Sequence, residues 1–232
     1  MTTAIILSGG TGTRMGLDIP KQYVLVNDVP ILHYSLKTFL ENGRINKIVI
    51  CCAPDWKNYV EQYLNHLVRE KEIIYSLPGE TRQLTIYNAL KMLQETSSDD
   101  EIVIIHDGAR PLVTHDLINR CLDGCKDYDA VLPVIRMKDT IYLSEDGHQI
   151  KSLIDRNHLF AGQAPEAFRY RKYLEIHESM PREELFQING STEIAYKCGL
   201  NVTMVSGDEM NFKITTPEDL ESFKTIINEK LQ

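Results

Sequence analysis

The chain has no apolar run long enough to cross a membrane. Residues 1–3 lead into a short apolar stretch without the basic and apolar regions of a secretion signal. Five cysteines are present, in spacings that match neither a disulfide framework nor a zinc site. These absences predict a cytoplasmic protein that does not bind membranes.

Positive charge is also scarce. The 232 residues contain 25 Lys and Arg against 33 Asp and Glu, a formal net charge of -8. A nucleic-acid partner would require a basic face, so we expect none. The sequence contains no internal repeat, low-complexity tract or linker, and its length suits one core. We therefore expect a single domain over residues 1–232.

Short apolar runs alternate with stretches of helical periodicity, which predicts an α/β fold with a mostly parallel sheet and right-handed crossovers. Predicted strands cover residues 4–7, 47–52, 72–77, 101–106, 130–135 and 201–205. Predicted helices cover residues 30–41, 55–71, 82–95 and 114–125, and a last one begins near residue 216. The pattern is typical of a Rossmann-like sheet with helices on both faces.

One segment departs from this alternation. Residues 139–143 and 149–154 flank a turn at 145–147 and predict a β-hairpin. Because two strands alone are only marginally stable in water, the hairpin needs a surface to pack on. We expect a projecting dimerisation arm at about residues 138–165, and hence a homodimer.

A glycine-rich loop follows the first predicted strand. It spans residues 7–16, Leu-Ser-Gly-Gly-Thr-Gly-Thr-Arg-Met-Gly, and is followed by Pro20-Lys21-Gln22. Open α/β sheets bind ligands at the carboxyl ends of their strands, and glycines let backbone N–H groups close on phosphate oxygens. Arg14 and Lys21 add two positive charges. The loop therefore predicts a polyphosphate site.

Two familiar glycine signatures fit this loop less well. A Walker A loop requires Gly-Lys-Ser/Thr, which the chain lacks here. The dinucleotide fingerprint matches at Gly10 and Gly12, with Asp28 near the position of a ribose-binding acid, but Met15 replaces its third glycine. An ordinary strand-to-helix turn is the remaining alternative.

Seven motifs in order resemble the IspD/TarI family of CTP-dependent cytidylyltransferases over nearly the whole chain. They are the first loop and residues 79–82, 106–111, 138–140, 155–157, 163–165 and 211–220. That family joins the cytidylyl group of CTP to a phosphorylated polyol, either methylerythritol 4-phosphate or ribitol 5-phosphate. The resemblance implies in-line attack by a phosphate oxygen of the polyol phosphate on the α-phosphorus of CTP, with pyrophosphate leaving.

The resemblance also assigns roles to residues. The catalytic cations would be Arg14, Lys21 and Lys213. The CTP-binding residues would be Leu7, Ser8, Gly9, Gly10, Thr11, Gly12, Gly79, Glu80, Arg82, Thr85, Asp107 and Gly108. The acceptor-binding residues would be Asp107, Arg110, Thr140, Arg156, Ala164, Asn189 and Lys213, with the arm of a partner subunit supplying Thr140 and Arg156.

The cofactor implied is one Mg²⁺ ion bridging the triphosphate, held mainly by phosphate oxygens and waters, with Asp107 as the nearest protein ligand. No general base is required, because a phosphate monoester with a second pKa near ~6 is already largely a dianion at neutral pH. His106, next to Asp107, is therefore expected to pack or to form a hydrogen bond rather than to catalyse.

The chain departs from the family pattern around the acceptor. It has Gln163-Ala164-Pro165-Glu166 in place of Gln-Thr-Pro-Gln, and residues 189–193 replace a Thr-Asp-Glu or Thr-Asp-Ala segment. These changes favour a pentitol phosphate such as ribitol 5-phosphate, and 2-C-methyl-D-erythritol 4-phosphate is the alternative. Outside this reaction, a CTP-binding regulatory module and a nicotinamide-dependent oxidoreductase are the other hypotheses.

Overall fold

The computed structural model describes residues 1–10, 19–65, 67 and 70–230. The strands in these residues are β1 (Thr2–Leu7), β2 (Leu25–Val26), β3 (Val29–Pro30), β4 (Lys47–Cys51), β5 (Glu72–Ser76), β6 (Ile102–Asp107), β7 (Ala130–Arg136), β8 (Ile141–Leu143), β9 (Ser152–Ile154), β10 (Phe160–Gly162), β11 (Glu166–Arg169) and β12 (Val202–Ser206). The helices are α1 (Ile31–Glu41), α2 (Pro54–Leu64), α3 (Arg82–Met92), α4 (His115–Gly124), α5 (Tyr170–Ser179), α6 (Arg182–Gln187), α7 (Ser191–Lys197) and α8 (Pro217–Lys230). Short 3-10 helices occupy Lys21–Tyr23 and Arg156–His158.

Most strands join one large sheet. Strands β5, β4, β1 and β6 are parallel neighbours, and β11 runs antiparallel between β6 and β7. Strand β12 pairs in parallel with β7, and β10 pairs antiparallel with the last residues of β7. The predicted α/β fold with a mostly parallel sheet is therefore confirmed.

Helices cover both faces of this sheet. Successive side chains of a strand point to opposite faces, so Ile6 and Ile104 pack with α1, α2 and α4. Ile5 and Ile105 pack on the other face with α3, α5 and α7. Within the described residues no helix combines the length and the apolar character that a membrane crossing requires.

Sequence periodicity was wrong about the end of the second helix. The prediction ran to residue 71, whereas α2 ends at Leu64. Lys71 reaches back to donate hydrogen bonds to the carbonyl oxygens of Phe39 (3.1 Å) and Asn42, just before β5 begins at Glu72. This tertiary contact fixes Lys71 against the carboxyl end of α1 and competes with local helical periodicity.

The predicted hairpin is present as β8 and β9. Ile141 pairs with Ile154 and Tyr142 with Leu153, in a two-stranded sheet separate from the large one. Tyr142 and Leu153 are 56% and 66% exposed, so the hairpin buries little of its own apolar surface. The hairpin ends before Phe160, because β10 belongs to the large sheet.

Candidate active site

The loops that form the site follow parallel strands whose last residues pair with one another. Leu7 at the end of β1 pairs with Cys51 on one side and Asp107 on the other, and Cys51 pairs with Ser76. Backbone bonds continue past the strands, from Ser8 N to the oxygen of Cys51 and from Gly108 N to that of Leu7, both 2.9 Å. Four carboxyl ends of parallel strands therefore open onto the same edge, where α/β sheets bind ligands.

Gln22 and Tyr23 hold the described part of the glycine-rich loop. The Gln22 Nε2 donates to the carbonyl oxygens of Ser8 (2.6 Å) and Gly10 (2.8 Å), and the Tyr23 hydroxyl donates to Ser8 O (3.0 Å). Burial raises the pKa of Tyr23 to about 12, so this hydroxyl keeps its proton. Tyr23 stacks on Trp56 with ring centroids 4.3 Å apart.

A second loop, residues 77–81, closes on the first. A Cβ added at Gly9 would lie 2.4 Å from Pro78 Cβ, so only glycine permits this approach. Thr81 caps α3 by accepting a hydrogen bond from Leu84 N, and Thr85 Oγ1 accepts one from Gly79 N (2.9 Å). The two loops therefore meet at Gly9 and Pro78, and the turn at Gly79 is tied to the first turn of α3.

A cavity of about 470 Å³ lies between these loops. Its lining contains Leu7, Gly9, Gly10, Lys21, Gln22, Gly79, Glu80, Thr81, Arg82, Thr85, Asp107, Ala109 and Lys213. The predicted Ser8 and Gly108 lie behind this lining: Ser8 is buried and its hydroxyl donates to Cys51 O, and a Cβ on Gly108 would meet Leu32 at 2.7 Å. Thr11, Gly12 and Arg14 lie outside the described residues.

A smaller cavity of about 310 Å³ adjoins the first. Its lining contains Arg82, Asp107, Arg110, Leu132, Gly162, Gln163, Ala164, Glu166, Asn189, Gly190, Thr192, Glu193 and Lys213. The predicted acceptor residues Arg110, Ala164 and Asn189 therefore come together. Among the described residues of this one chain, the linings of the two cavities do not include Thr140 and Arg156. Both are exposed and flank the hairpin of β8 and β9.

Asp107 joins the two cavities through a cluster of charges. Its Oδ1 accepts from Arg82 (3.2 Å), while its Oδ2 lies 3.0 Å from Lys213 Nζ and 3.6 Å from Arg110 Nε. Burial favours the neutral acid, but the positive charges of Arg82, Lys213 and Arg110 outweigh it and hold the pKa of Asp107 well below its usual range. The carboxylate is therefore ionised and fixes three cations around itself.

Glu166 belongs to the site, although the sequence analysis named it only as a departure from the family pattern and assigned it no role. Its Oε1 lies 3.3 Å from Arg82 Nη2, and its Oε2 accepts from the backbone N–H of Thr192 (2.8 Å) and from the Thr192 hydroxyl. Burial opposes the charged form of Arg82, but Asp107 and Glu166 outweigh it and raise the pKa of the guanidinium. The sequence signal for this role was the glutamate at position 166, where the family pattern has glutamine.

Asp107 does not fit the predicted role of a direct Mg²⁺ ligand. Both of its oxygens already face cations, and a divalent ion placed there would be repelled by Arg82, Arg110 and Lys213. Among the described residues there is no group of three or more His, Cys, Asp or Glu side chains able to hold a metal ion. This protein surface therefore suits anions rather than a bare metal ion.

The structural role predicted for His106 agrees with its surroundings. The ring is fully buried, packs on Phe39 with centroids 5.1 Å apart, and donates from Nε2 to Arg110 O (3.0 Å). Burial lowers the pKa of His106 to about 4, so the ring is neutral near pH 7.

Comparison with known proteins agrees with this geometry. The model of the family IspD, 2-C-methyl-D-erythritol 4-phosphate cytidylyltransferase, matches residues 2–229. The chain belongs to the IspD family. Its cytidylyltransferase activity sets it apart from the nicotinamide-dependent oxidoreductases. Asp28, the candidate ribose-binding acid of the dinucleotide fingerprint, lies in the tight turn between β2 and β3 with φ 64°.

Relatives of this IspD-family chain carry two different names. It is 38% identical over 221 residues to the 2-C-methyl-D-erythritol 4-phosphate cytidylyltransferase of Clostridium beijerinckii, covering 95% of each chain. It is 32% identical to the ribitol-5-phosphate cytidylyltransferase of Lacticaseibacillus paracasei, covering 99% of each. The crystal structure of 4-diphosphocytidyl-2C-methyl-D-erythritol synthase from Anaerococcus prevotii shares its fold, with a TM-score of 0.83 at 23% identity over 98% of this chain and 96% of that one.

Proposed function

We propose that this protein transfers CMP from CTP to a pentitol phosphate such as ribitol 5-phosphate, giving a CDP-polyol and pyrophosphate. The observation that carries the proposal is the pair of adjoining cavities that share Arg82, Asp107 and Lys213. CTP would occupy the larger cavity and the acceptor the smaller, so that the two reacting phosphates meet at the shared charges. We call these cavities the nucleotide lobe and the acceptor lobe.

In the nucleotide lobe, Lys21 would stabilise the transition state. Lys21 is only 8% exposed and lines the lobe together with Gly9 and Gly10. Negative charge grows on the α-phosphate and on the leaving pyrophosphate, and positioned cations stabilise it most strongly away from water. Arg14 is proposed for the same role from the motif alone.

The metal would enter with the nucleotide. We propose that Mg²⁺ is bound by the triphosphate of CTP and by waters, as is common for an ion that prefers phosphate oxygens and keeps part of its hydration shell. The substrate is then the Mg²⁺–CTP complex, and the cationic cluster around Asp107 faces its remaining negative charge.

In the acceptor lobe, Lys213 and Arg110 would orient the phosphate of the polyol. Its dianion attacks the α-phosphorus of CTP with an unshared oxygen pair, and the bond to the bridging oxygen of pyrophosphate breaks. No proton has to be removed from the nucleophile. Arg110 is held for this task by a bond from its Nη1 to Asn211 O (2.8 Å).

The lining of the acceptor lobe favours a pentitol. Ala164 is 2% exposed and removes a hydroxyl from the wall, and Asn189 contributes a neutral amide at the exposed rim. Ser191, which the sequence placed near the acceptor, instead accepts a hydrogen bond from Arg82. The name of the Clostridium beijerinckii relative supports the second candidate acceptor, 2-C-methyl-D-erythritol 4-phosphate.

A panel of acceptors tests the proposal. The protein is given CTP, Mg²⁺, pyrophosphatase and one of ribitol 5-phosphate, arabinitol 5-phosphate, erythritol 4-phosphate, methylerythritol 4-phosphate or glycerol 3-phosphate, and phosphate release is measured. We expect a pentitol phosphate to have the highest kcat/KM, because a site matched to hydroxyls rejects analogues that lack one by up to ~10⁴-fold. A higher value for methylerythritol 4-phosphate would establish the second candidate. Absence of turnover with every acceptor would favour the regulatory module.

We also propose that residues 1–232 act as one cytoplasmic domain and form a homodimer through the hairpin. Exposed apolar side chains on both hairpin strands, such as Tyr142 and Leu153, support a packing partner. Thr140 and Arg156 would then complete the acceptor lobe of the partner subunit. Mixing inactive Arg156→Ala protein with inactive Lys21→Ala protein should restore activity, because one site of each heterodimer is intact. No recovery after proven subunit exchange would contradict this arrangement.

A further inference from the structure

Charged side chains form a continuous alternating chain across the acceptor lobe. Lys213 and Arg110 contact one oxygen of Asp107, Arg82 contacts the other, and Glu166 lies on the far side of Arg82. The lobe therefore has two unlike ends. Two cations lie at the end with Asp107, and the carboxylate of Glu166 lies at the end with Thr192.

This asymmetry orients a polyol phosphate. Its phosphate carries nearly two negative charges and is attracted to Lys213 and Arg110, while Glu166 repels it. The remaining atoms of the acceptor are neutral hydroxyls, which can donate hydrogen bonds to a carboxylate. The hydroxyl-bearing tail is then directed toward Glu166.

Glu166 retains room for one more hydrogen bond. An ionised carboxylate offers about four acceptor positions. Among the described residues, three are used, by Arg82 Nη2 on Oε1 and by the Thr192 N–H and hydroxyl on Oε2. Oε1 therefore has one unused position on a residue that lines the cavity and is only 6% exposed.

We infer that Glu166 is a specificity-determining residue that accepts a hydrogen bond from one hydroxyl of the acceptor. The inference rests on the proposed function and assigns this role within it. A glutamine at position 166 would keep only one acceptor atom and would turn an NH₂ group toward either Arg82 or the Thr192 N–H. The preference for a hydroxyl at this point is thus a property of the carboxylate.

The test compares Glu166→Gln with the wild type on monodeoxy analogues of the best acceptor, each lacking one hydroxyl. In the wild type, one analogue should lose about tenfold to a hundredfold in kcat/KM, the range for a hydrogen bond to a charged group. In Glu166→Gln the loss for that analogue should shrink to about twofold, while losses for the other analogues persist. An unchanged pattern of losses in the variant would overturn the inference.

Glu193→Gln is the matched control. Glu193 lines the same lobe and also accepts three hydrogen bonds, from Asn189 N (2.8 Å), Gly190 N (3.3 Å) and Lys197 (2.7 Å). Its side chain is 30% exposed against 8% for that of Glu166, so water competes for its remaining acceptor position. This variant should keep the wild-type pattern of losses, and loss of the same hydroxyl preference would overturn the inference. If Glu166→Gln does not fold, Glu166→Asp, which withdraws the charge by one methylene, should reduce the same loss, and an undiminished loss would overturn it.

The measurements separate the failure of this inference from that of the proposed function. If wild-type protein releases no pyrophosphate with any polyol phosphate, the proposed function fails and takes the inference with it. If the wild type turns over and only the hydroxyl preference is independent of residue 166, the inference alone fails. Isothermal titration calorimetry with CTP shows whether each variant retains a folded nucleotide lobe.

Discussion

The nucleotide lobe and the acceptor lobe share one edge of the sheet but differ in construction. In the nucleotide lobe, the backbone of two short loops meets where Gly9 approaches Pro78. The acceptor lobe consists of charged side chains from distant segments, such as Arg82 and Glu166, which are 84 positions apart.

This difference decides how each lobe responds to change. Backbone in the nucleotide lobe is fixed by local turns and by the supports Gln22 and Tyr23, so a glycine substitution in its loops acts through shape. In the acceptor lobe each charge is compensated by its neighbours, so removing one leaves the others unpaired in a partly buried site. We therefore expect charge changes to have the largest effects.

The largest effect is expected for Asp107→Asn. The variant leaves Arg82, Arg110 and Lys213 without the carboxylate that they surround, and breaking a buried ion cluster in this way costs roughly 3 to 5 kcal/mol of unfolding free energy. Urea unfolding measures the loss of stability. The kcat/KM should fall for CTP and for the polyol phosphate. Asp116→Asn is the control: that carboxylate is 75% exposed, pairs with Arg120 outside both lobes, and its loss should cost under about 1 kcal/mol. Equal losses would contradict the special role of Asp107.

The next largest effect is expected for Lys21→Ala and Arg14→Ala. Each should lower kcat by about 10²-fold or more, ~2.7 kcal/mol, because the charge acts mainly on the transition state. CTP affinity, measured by isothermal titration calorimetry, should weaken less. Lys213→Ala provides the comparison across the lobes: because Lys213 lines both, the variant should raise the KM of the acceptor as well as lower kcat. Equal losses of CTP affinity and kcat/KM with kcat unchanged would make Lys21 and Arg14 ground-state binding residues.

The same contrast explains what the sequence could predict. Parallel strands and their order along the chain follow from apolar periodicity. Gly9 and Gly79 lie in loops with local signatures, and Thr85 lies in the first turn of α3. By contrast, β11 has four residues and lies antiparallel inside a mostly parallel sheet. The role of Glu166 depends on Thr192, which arrives through helices too short or too polar for periodicity to reveal. Long-range pairing of this kind leaves no local pattern.

A smaller effect separates two neighbouring glycines of the nucleotide lobe. Gly9→Ala places a Cβ at 2.4 Å from Pro78 Cβ, so the loops must move apart at a cost of about 1 to 3 kcal/mol. At Gly10, an added Cβ meets nothing within 4 Å. We expect Gly9→Ala to raise the KM of CTP about tenfold or more and Gly10→Ala to change it little. Similar KM values for the two variants would show that close packing of the loops does not shape this lobe.

The smallest effect is expected from lowering the pH. Acid should protonate His106, which bonds to Arg110 of the acceptor lobe, and should leave Tyr23, which holds the loop of the nucleotide lobe, unchanged. His106 precedes Asp107 in β6 and donates a hydrogen bond to Arg110 O. Burial lowers its pKa to about 4, below the value of about 6.5 in an unfolded chain. The unfolded state therefore binds more protons between these values, and stability falls as the pH falls through this window. From about pH 7 to about pH 5.5 the loss due to His106 is roughly 1 kcal/mol. Buried His177, with its pKa also lowered to about 4, adds a similar amount.

Urea unfolding of the wild type and of His106→Gln at the two pH values isolates the contribution of His106. The glutamine amide can still donate to Arg110 O but does not titrate, so the variant should lose about half as much stability as the wild type over this range. Tyr23, which supports the nucleotide lobe, has its pKa raised to about 12 and stays protonated throughout. An identical pH dependence in both proteins would show that His106 is not held neutral by its burial, and the acceptor lobe would then be no more sensitive to acid than the nucleotide lobe.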